Sequence, residues 1–175
     1  MGGLDGQAIR DALARLGQAL AAPVDLFVVG GSAGLLSGEL GGSRTTGDCD
    51  VVQVDPAGAW SEVQRGALEV ARGLGLPDAW LNRDSRHFKH LLALGWRERC
   101  GVEEFGRVRV HYLSRPDLIA AKVAAGRPQD FDDLVALRPS AEERAFAHAH
   151  LDRLEQEALG GDSYDANRSL LDSLG

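Results

Sequence analysis

A chain of 175 residues and 18.7 kDa has room for one domain, or for one domain with a small helical appendage. Its 44% apolar content supports a packed core, and its 26% charged content is ordinary for a soluble protein. A net charge of −7 argues against nucleic-acid binding driven by bulk electrostatics and leaves only local basic faces, with Arg83/Arg86/Lys89 and Arg97/Arg99/Arg107/Arg109 as candidates. Cys49 and Cys100 are far apart and form no Cys-x-x-Cys pair, which suits a reducing cytoplasm with both as small core residues. His87 and His90 lack cysteine partners at ligand spacing, which speaks against zinc. The sequence shows no signal-peptide pattern and no apolar run near the ~20 residues of a membrane span, so a cytoplasmic protein away from membranes is expected.

In chain order, residues 5–20 carry Ile9, Leu13, Leu16 and Leu20 at helical spacing, and Pro23 closes that helix. Residues 26–29 read as a short buried strand. A tight Gly30-Gly31-Ser32 turn follows, then a helix over about 32–40 that ends at Gly41-Gly42. A second strand is expected over 49–54. Trp60, Val63, Ala67 and Val70 mark a helix over 59–72, and 73–77 is a loop. Residues 95–113 read as a hairpin with arms 96–100 and 107–113 and its turn near Gly106. In the second arm Val108, Val110 and Tyr112 alternate with Arg107, Arg109 and His111, giving one apolar and one polar face.

Ser114 is placed to cap a helix that starts at Arg115-Pro116 and ends near Ala125. Pro128 opens another helix to about Leu137. Ser140 and Glu143 form a capping box for a long helix to about Leu159. Residues 160–175 read as a mobile tail with a last helical turn near Leu170. The resulting class is α/β (α+β): a small mixed sheet flanked by helices, with a core over 1–138 and a C-terminal helix and tail over 139–175.

The chemistry concentrates in residues 26–54. Asp48-Cys49-Asp50 at a strand start puts both carboxylates on one face. Adjacent acids repel and are costly to bury. Either they form a solvated strand start, or a divalent cation resolves the conflict, as Mg²⁺ does when held by one or two carboxylates and substrate phosphates. Gly30-Gly31-Ser32 is either a plain strand-to-helix turn or a stretch of bare backbone with a hydroxyl that a phosphate can approach. Lys122, alone on an amphipathic helix, is expected on a solvated face. Asp130 and Asp133 lie three apart on one side of the next helix.

Gly30-Gly31-Ser32 followed by Arg44-x-Thr46-x-Asp48-x-Asp50 resembles the signature of the polymerase-β-like nucleotidyltransferase superfamily. The block Asp117-Leu118-Ile119-Ala120-Ala121-Lys122, with Ala125, Arg127, Asp130 and Asp133-Leu134, resembles one shared by AbiEii-type nucleotidyltransferase toxins and their uncharacterised relatives. Trp80-Leu81-Asn82, Arg107-Val108-Arg109-Val110 and Pro139-Ser140-x-Glu142-Glu143 are similar to one bacterial branch of nucleotidyltransferase-like proteins.

The resemblance implies a nucleotidyltransferase fold and transfer of a nucleoside monophosphate from an NTP to an RNA (a tRNA among the options), a protein or a small molecule. For a toxin it also implies an antitoxin-like partner. By the same resemblance Asp48 and Asp50 would hold Mg²⁺ or Mn²⁺; Gly30, Gly31, Ser32, Arg44 and Thr46 would bind the nucleotide; Lys122 would neutralise the triphosphate; and Asp130 or Asp133 would be the later functional acid. The superfamily usually carries a third carboxylate on the strand beside the Asp-x-Asp. The 107–113 arm is expected there, with Arg109 or His111 in the acid's place. That departure leaves open a catalytically degenerate module.

Overall fold

The computed structural model describes residues 3–158 and 163–175. Helix α1 (Gly6–Ala19) opens on the Asp5 carboxylate, which accepts the Ala8 N–H at 2.8 Å, and buries Ile9, Ala12, Leu13 and Leu16. Gly17 completes that face for a steric reason. A Cβ there would lie 1.6 Å from the Phe105 carbonyl oxygen, so only glycine lets the helix lie this close to the chain before Gly106.

Strands β1 (Val24–Val29), β2 (Cys49–Asp55), β3 (Leu81–Asn82), β4 (Gly101–Phe105) and β5 (Val108–Tyr112) form one sheet in the order β3-β2-β1-β5-β4. The central β1 is antiparallel to β2 and parallel to β5. β3 is parallel to β2, and β4 is antiparallel to β5. Helices α2 (Gly30–Leu36) and α3 (Trp60–Leu74) follow β1 and β2. Helices α4 (Arg115–Ala125), α5 (Pro128–Leu137), α6 (Ala141–Glu157) and α7 (Asp165–Asp172) follow the sheet. This is the mixed sheet flanked by helices that the sequence predicts, and it is consistent with a nucleotidyltransferase-like fold.

A bulge in β2 decides which residues reach the site. Phe27 pairs with Gln53, but Val28 pairs with Val51, so Val52 is the extra residue. The shift buries Cys49, Val51 and Val54 in the core and brings Asp50, Gln53 and Asp55 to the opposite face. That second face carries Phe27 stacked on His111 at 4.4 Å, with Trp96 edge-on at 5.6 Å.

Three boundaries differ from the sequence reading. The first hairpin arm is 101–105, not 96–100. Gly106 (φ 63) turns the chain so that Phe105 faces Val108 directly, which leaves Trp96 free to pack on Phe27. The helix after β1 ends at Leu36 and not near 40. The 107–113 arm joins β1, not the Asp-bearing β2, whose outer neighbour is β3.

At the C-terminal end, Ser140 and Glu143 do form the capping box of α6. The expected tail contains α7, with Leu171 fully buried, while residues 159–162 lie outside the described residues. No helix of the described residues is long and apolar enough to cross a membrane.

Candidate active site

At the end of β1, Gly30 takes φ +70, a conformation natural to glycine, and turns the chain directly into α2. A Cβ on Gly31 would come within 3.2 Å of the Thr46 hydroxyl, so the bare backbone here packs closely on Thr46. The loop carrying Arg44 and Thr46 is held from the far end of the chain. Leu4 and Thr46 exchange backbone hydrogen bonds of 2.7 and 2.9 Å. Gly30, Gly31, Arg44, Thr46, Asp48 and Asp50 thereby line one polar pocket, and Lys122, Asp130 and Asp133 complete it. Ser32 lies apart from the other predicted residues: it is buried, its hydroxyl donates to the Val29 carbonyl at 3.1 Å, and it does not line this pocket.

Lys122 is a correction. It is 3% exposed, not on a solvated face. Its ammonium donates to Asp133 at 2.6 Å and to Asp130 at 3.2 Å. Asp133 also accepts two bonds from Arg44, at 2.7 and 3.0 Å. Asp130 accepts from Arg127 Nε at 2.7 Å and from the Arg127 backbone, closing the first turn of α5. Burial alone would raise the Asp133 carboxyl, but the Arg44 and Lys122 hydrogen bonds outweigh it and hold it below its ordinary value. The two acids are thus fully engaged, and they fix Arg44 and Arg127 at the rim of the pocket.

Among the described residues no cation forms an ion pair with Asp48 or Asp50. Burial, and then the charge of Asp48, push the Asp50 carboxyl above its usual range; a Ser85 hydrogen bond and the Arg127 charge favour the Asp50 anion but do not outweigh what opposes it. On the neighbouring strand, Asn82 pairs with Asp50 in the β2–β3 register. Its amide donates to Asp48 at 2.8 Å, and its carbonyl oxygen accepts the Asp84 N–H at 2.8 Å. The strand beside β2 therefore presents Asn82, whereas Arg109 and His111 lie on β5, on the other side of β1. His111 instead bonds Asp25 at 2.6 Å, on the β5 side of the sheet. Asn82 carries no local signal in the sequence, because a two-residue strand has no periodicity.

The donor set fits a divalent cation. The polar pocket holds four carboxylates against three cationic side chains, and two of the acids use all three cations. That leaves Asp48 and Asp50 without an ion-pair partner among the described residues, and only partly compensated by Asn82, Ser85 and the Arg127 charge. Among the described residues, no three His, Cys, Asp or Glu side chains converge, so such an ion would complete its shell with oxygens from a ligand.

Fold and pocket together define a nucleotidyltransferase-like protein. Residues 8–155 match the model of a family described as nucleotidyltransferase of unknown function (DUF6036), and the chain belongs to that family. No curated protein and no solved structure matches it.

Proposed function

We propose that this protein is a Mg²⁺- or Mn²⁺-dependent nucleotidyltransferase that moves a nucleoside monophosphate from an NTP to a hydroxyl acceptor, with an RNA end such as that of a tRNA as the first acceptor to test. The observation that carries the reading is the only partly compensated Asp48/Asp50 pair, set beside the bare Gly30–Gly31 backbone in a pocket rimmed by Arg44 and Arg127. A bound divalent ion would supply charge neutralisation between these acids and the phosphates and would acidify the acceptor hydroxyl. The chain's own part is positional. Asp48 and Asp50 fix where the charge deficit lies, and Asn82 orients Asp48. Arg44 and Arg127, each pinned by a buried aspartate, present guanidinium groups to the triphosphate. In the reaction the acceptor oxygen bonds to the α-phosphorus, the bond from that phosphorus to the pyrophosphate oxygen breaks, and the hydroxyl proton is released to solvent.

The test is incubation with each α-labelled NTP, Mg²⁺ and total RNA, with the double variant Asp48→Asn/Asp50→Asn as the blank. Label transferred by wild type and abolished in the variant supports the reading. Asn82, standing where the superfamily's third acid is expected, favours a second reading: a catalytically degenerate module that binds nucleotide without transferring it. NTP binding without label transfer to RNA, protein or small acceptors selects that alternative. A toxin role and an antitoxin-like partner rest on the resemblance of residues 117–134 alone. Growth arrest on expression, relieved by a co-expressed neighbour gene, tests them.

A further inference from the structure

The polar pocket has a neighbour. A largely apolar cavity of about 240 Å³ meets it along a shared edge of Gly30, Asp50, Lys122, Arg127 and Asp130. Its walls are Val29 and Val52 from the sheet, Ala121 and Ala125 from α4, and Phe88 from the 84–91 turn. Val52 is there because it is the bulge residue of β2. Phe88 lines the cavity while remaining 51% exposed, so its ring is open to contact at the cavity mouth. Away from the edge shared with the polar pocket, Ser85 is the polar side chain that lines it.

The two spaces are chemically complementary. Phosphates placed among Val52, Ala121 and Phe88 would lose their hydration without compensation. At about 240 Å³ the cavity is smaller than the ~300–1,000 Å³ that encloses a whole drug-sized ligand, so it suits one part of a molecule whose remainder lies elsewhere. A polyanionic arm joined to a flat, weakly polar ring system matches both halves.

We infer that the apolar cavity is the nucleobase subsite, an inference that rests on the nucleotidyltransferase reading. The base enters between the sheet and α4, with Phe88 as its aromatic contact. The triphosphate lies in the polar pocket, and the α-phosphate sits at the Gly30–Asp50 junction, beside the acids.

Titration calorimetry of the full chain in Mg²⁺, with ATP or UTP against inorganic tripolyphosphate, tests this. Base–aromatic contact of ~1–3 kcal/mol predicts that wild type binds the nucleotides about tenfold or more tighter than tripolyphosphate. Ala121→Phe, which fills the cavity, should remove that advantage and leave tripolyphosphate binding within about twofold of wild type. Phe88→Ala changes an exposed side chain, spares the fold, and should lower nucleotide affinity about three- to tenfold with tripolyphosphate unchanged. Equal affinity of wild type for nucleotide and tripolyphosphate overturns the subsite but leaves the phosphate site standing. An unchanged nucleotide advantage in Phe88→Ala and in folded Ala121→Phe overturns the assignment of this cavity. Binding of neither ligand overturns the subsite and the nucleotidyltransferase reading together.

Discussion

Two pairs of aspartates line the same polar pocket, and their surroundings are opposite in sign. Asp130 and Asp133 sit on α5 almost fully buried, each held by Lys122 and by an arginine at 2.7 Å. Asp48 and Asp50 sit at the start of β2, where Asp48 accepts from a neutral amide and where burial and the Asp48 charge outweigh the Ser85 hydrogen bond and the more distant Arg127 charge at Asp50. The first pair is part of how α4, α5 and the 44–46 loop are joined. The second pair makes the protein's own fold slightly worse. An unmet charge of this kind is informative, because perturbed carboxylates cluster at functional sites, and it is the observation on which the proposed metal and nucleotide site rests.

The largest effect that sharpens this contrast is Lys122→Met. Removing one partner of a buried ionic cluster strands the others, so urea unfolding should show a loss of about 3–5 kcal/mol. A loss below 1 kcal/mol would mean the cluster does not hold α4 to α5. Next, Mg²⁺ or Mn²⁺ should stabilise wild type in thermal unfolding by about 1.4 kcal/mol at ten times its dissociation constant. The same addition should do nothing for Asp48→Asn/Asp50→Asn; equal shifts in both proteins would place the ion elsewhere. Asn82→Asp should destabilise the metal-free protein by about 1 kcal/mol, since Asp48 loses a donor and gains a like charge, while tightening divalent binding.

The smallest effect is a pH dependence of opposite sign at the two pairs. The Asp133 carboxyl is held below its ordinary 3.8, so its contribution is present above that value and is lost as pH falls through the lowered folded pKa. The stability gap between wild type and Asp133→Asn should therefore narrow from pH 7 to pH 3. The Asp50 carboxyl is raised, so its ionisation destabilises the fold as pH rises from 3.8 through the raised folded pKa. Asp50→Asn should gain most at neutral pH and nothing in acid, measured by urea unfolding in the absence of metal.

Much of this was legible in the sequence, for reasons that also explain the rest. Apolar spacing in α1 and α3, alternation in β5 and the capping box of α6 are local patterns, and local chemistry produced the elements they indicate. Strand neighbours are not local. Nothing in 107–113 says whether it pairs with β1 or β2, and that single ambiguity moved the search for a third acid to the wrong edge of the sheet. The bulge at Val52 is likewise invisible to strict alternation. Lys122 was misjudged because a lone charge on a helix normally marks its wet side. In α4 both Asp117 and Lys122 are buried, each satisfied by residues outside the helix: Arg99 for the first, Asp130 and Asp133 for the second. The acid pair and the glycine turn were readable because both lie within one short stretch; their electrostatic isolation required the neighbours to be seen.

The Arg44–Asp133 bond joins residues 89 positions apart. A chain emerging from the ribosome carries the glycine turn and both catalytic-site candidates on β2 long before α5 exists. Until α5 has folded against α4, Arg44 has no carboxylate to hold it and the polar pocket lacks a wall. The pocket is therefore closed by one of the later events of synthesis, and an incomplete chain that stops before α5 carries the acids without the anchored arginine and the wall that complete the pocket.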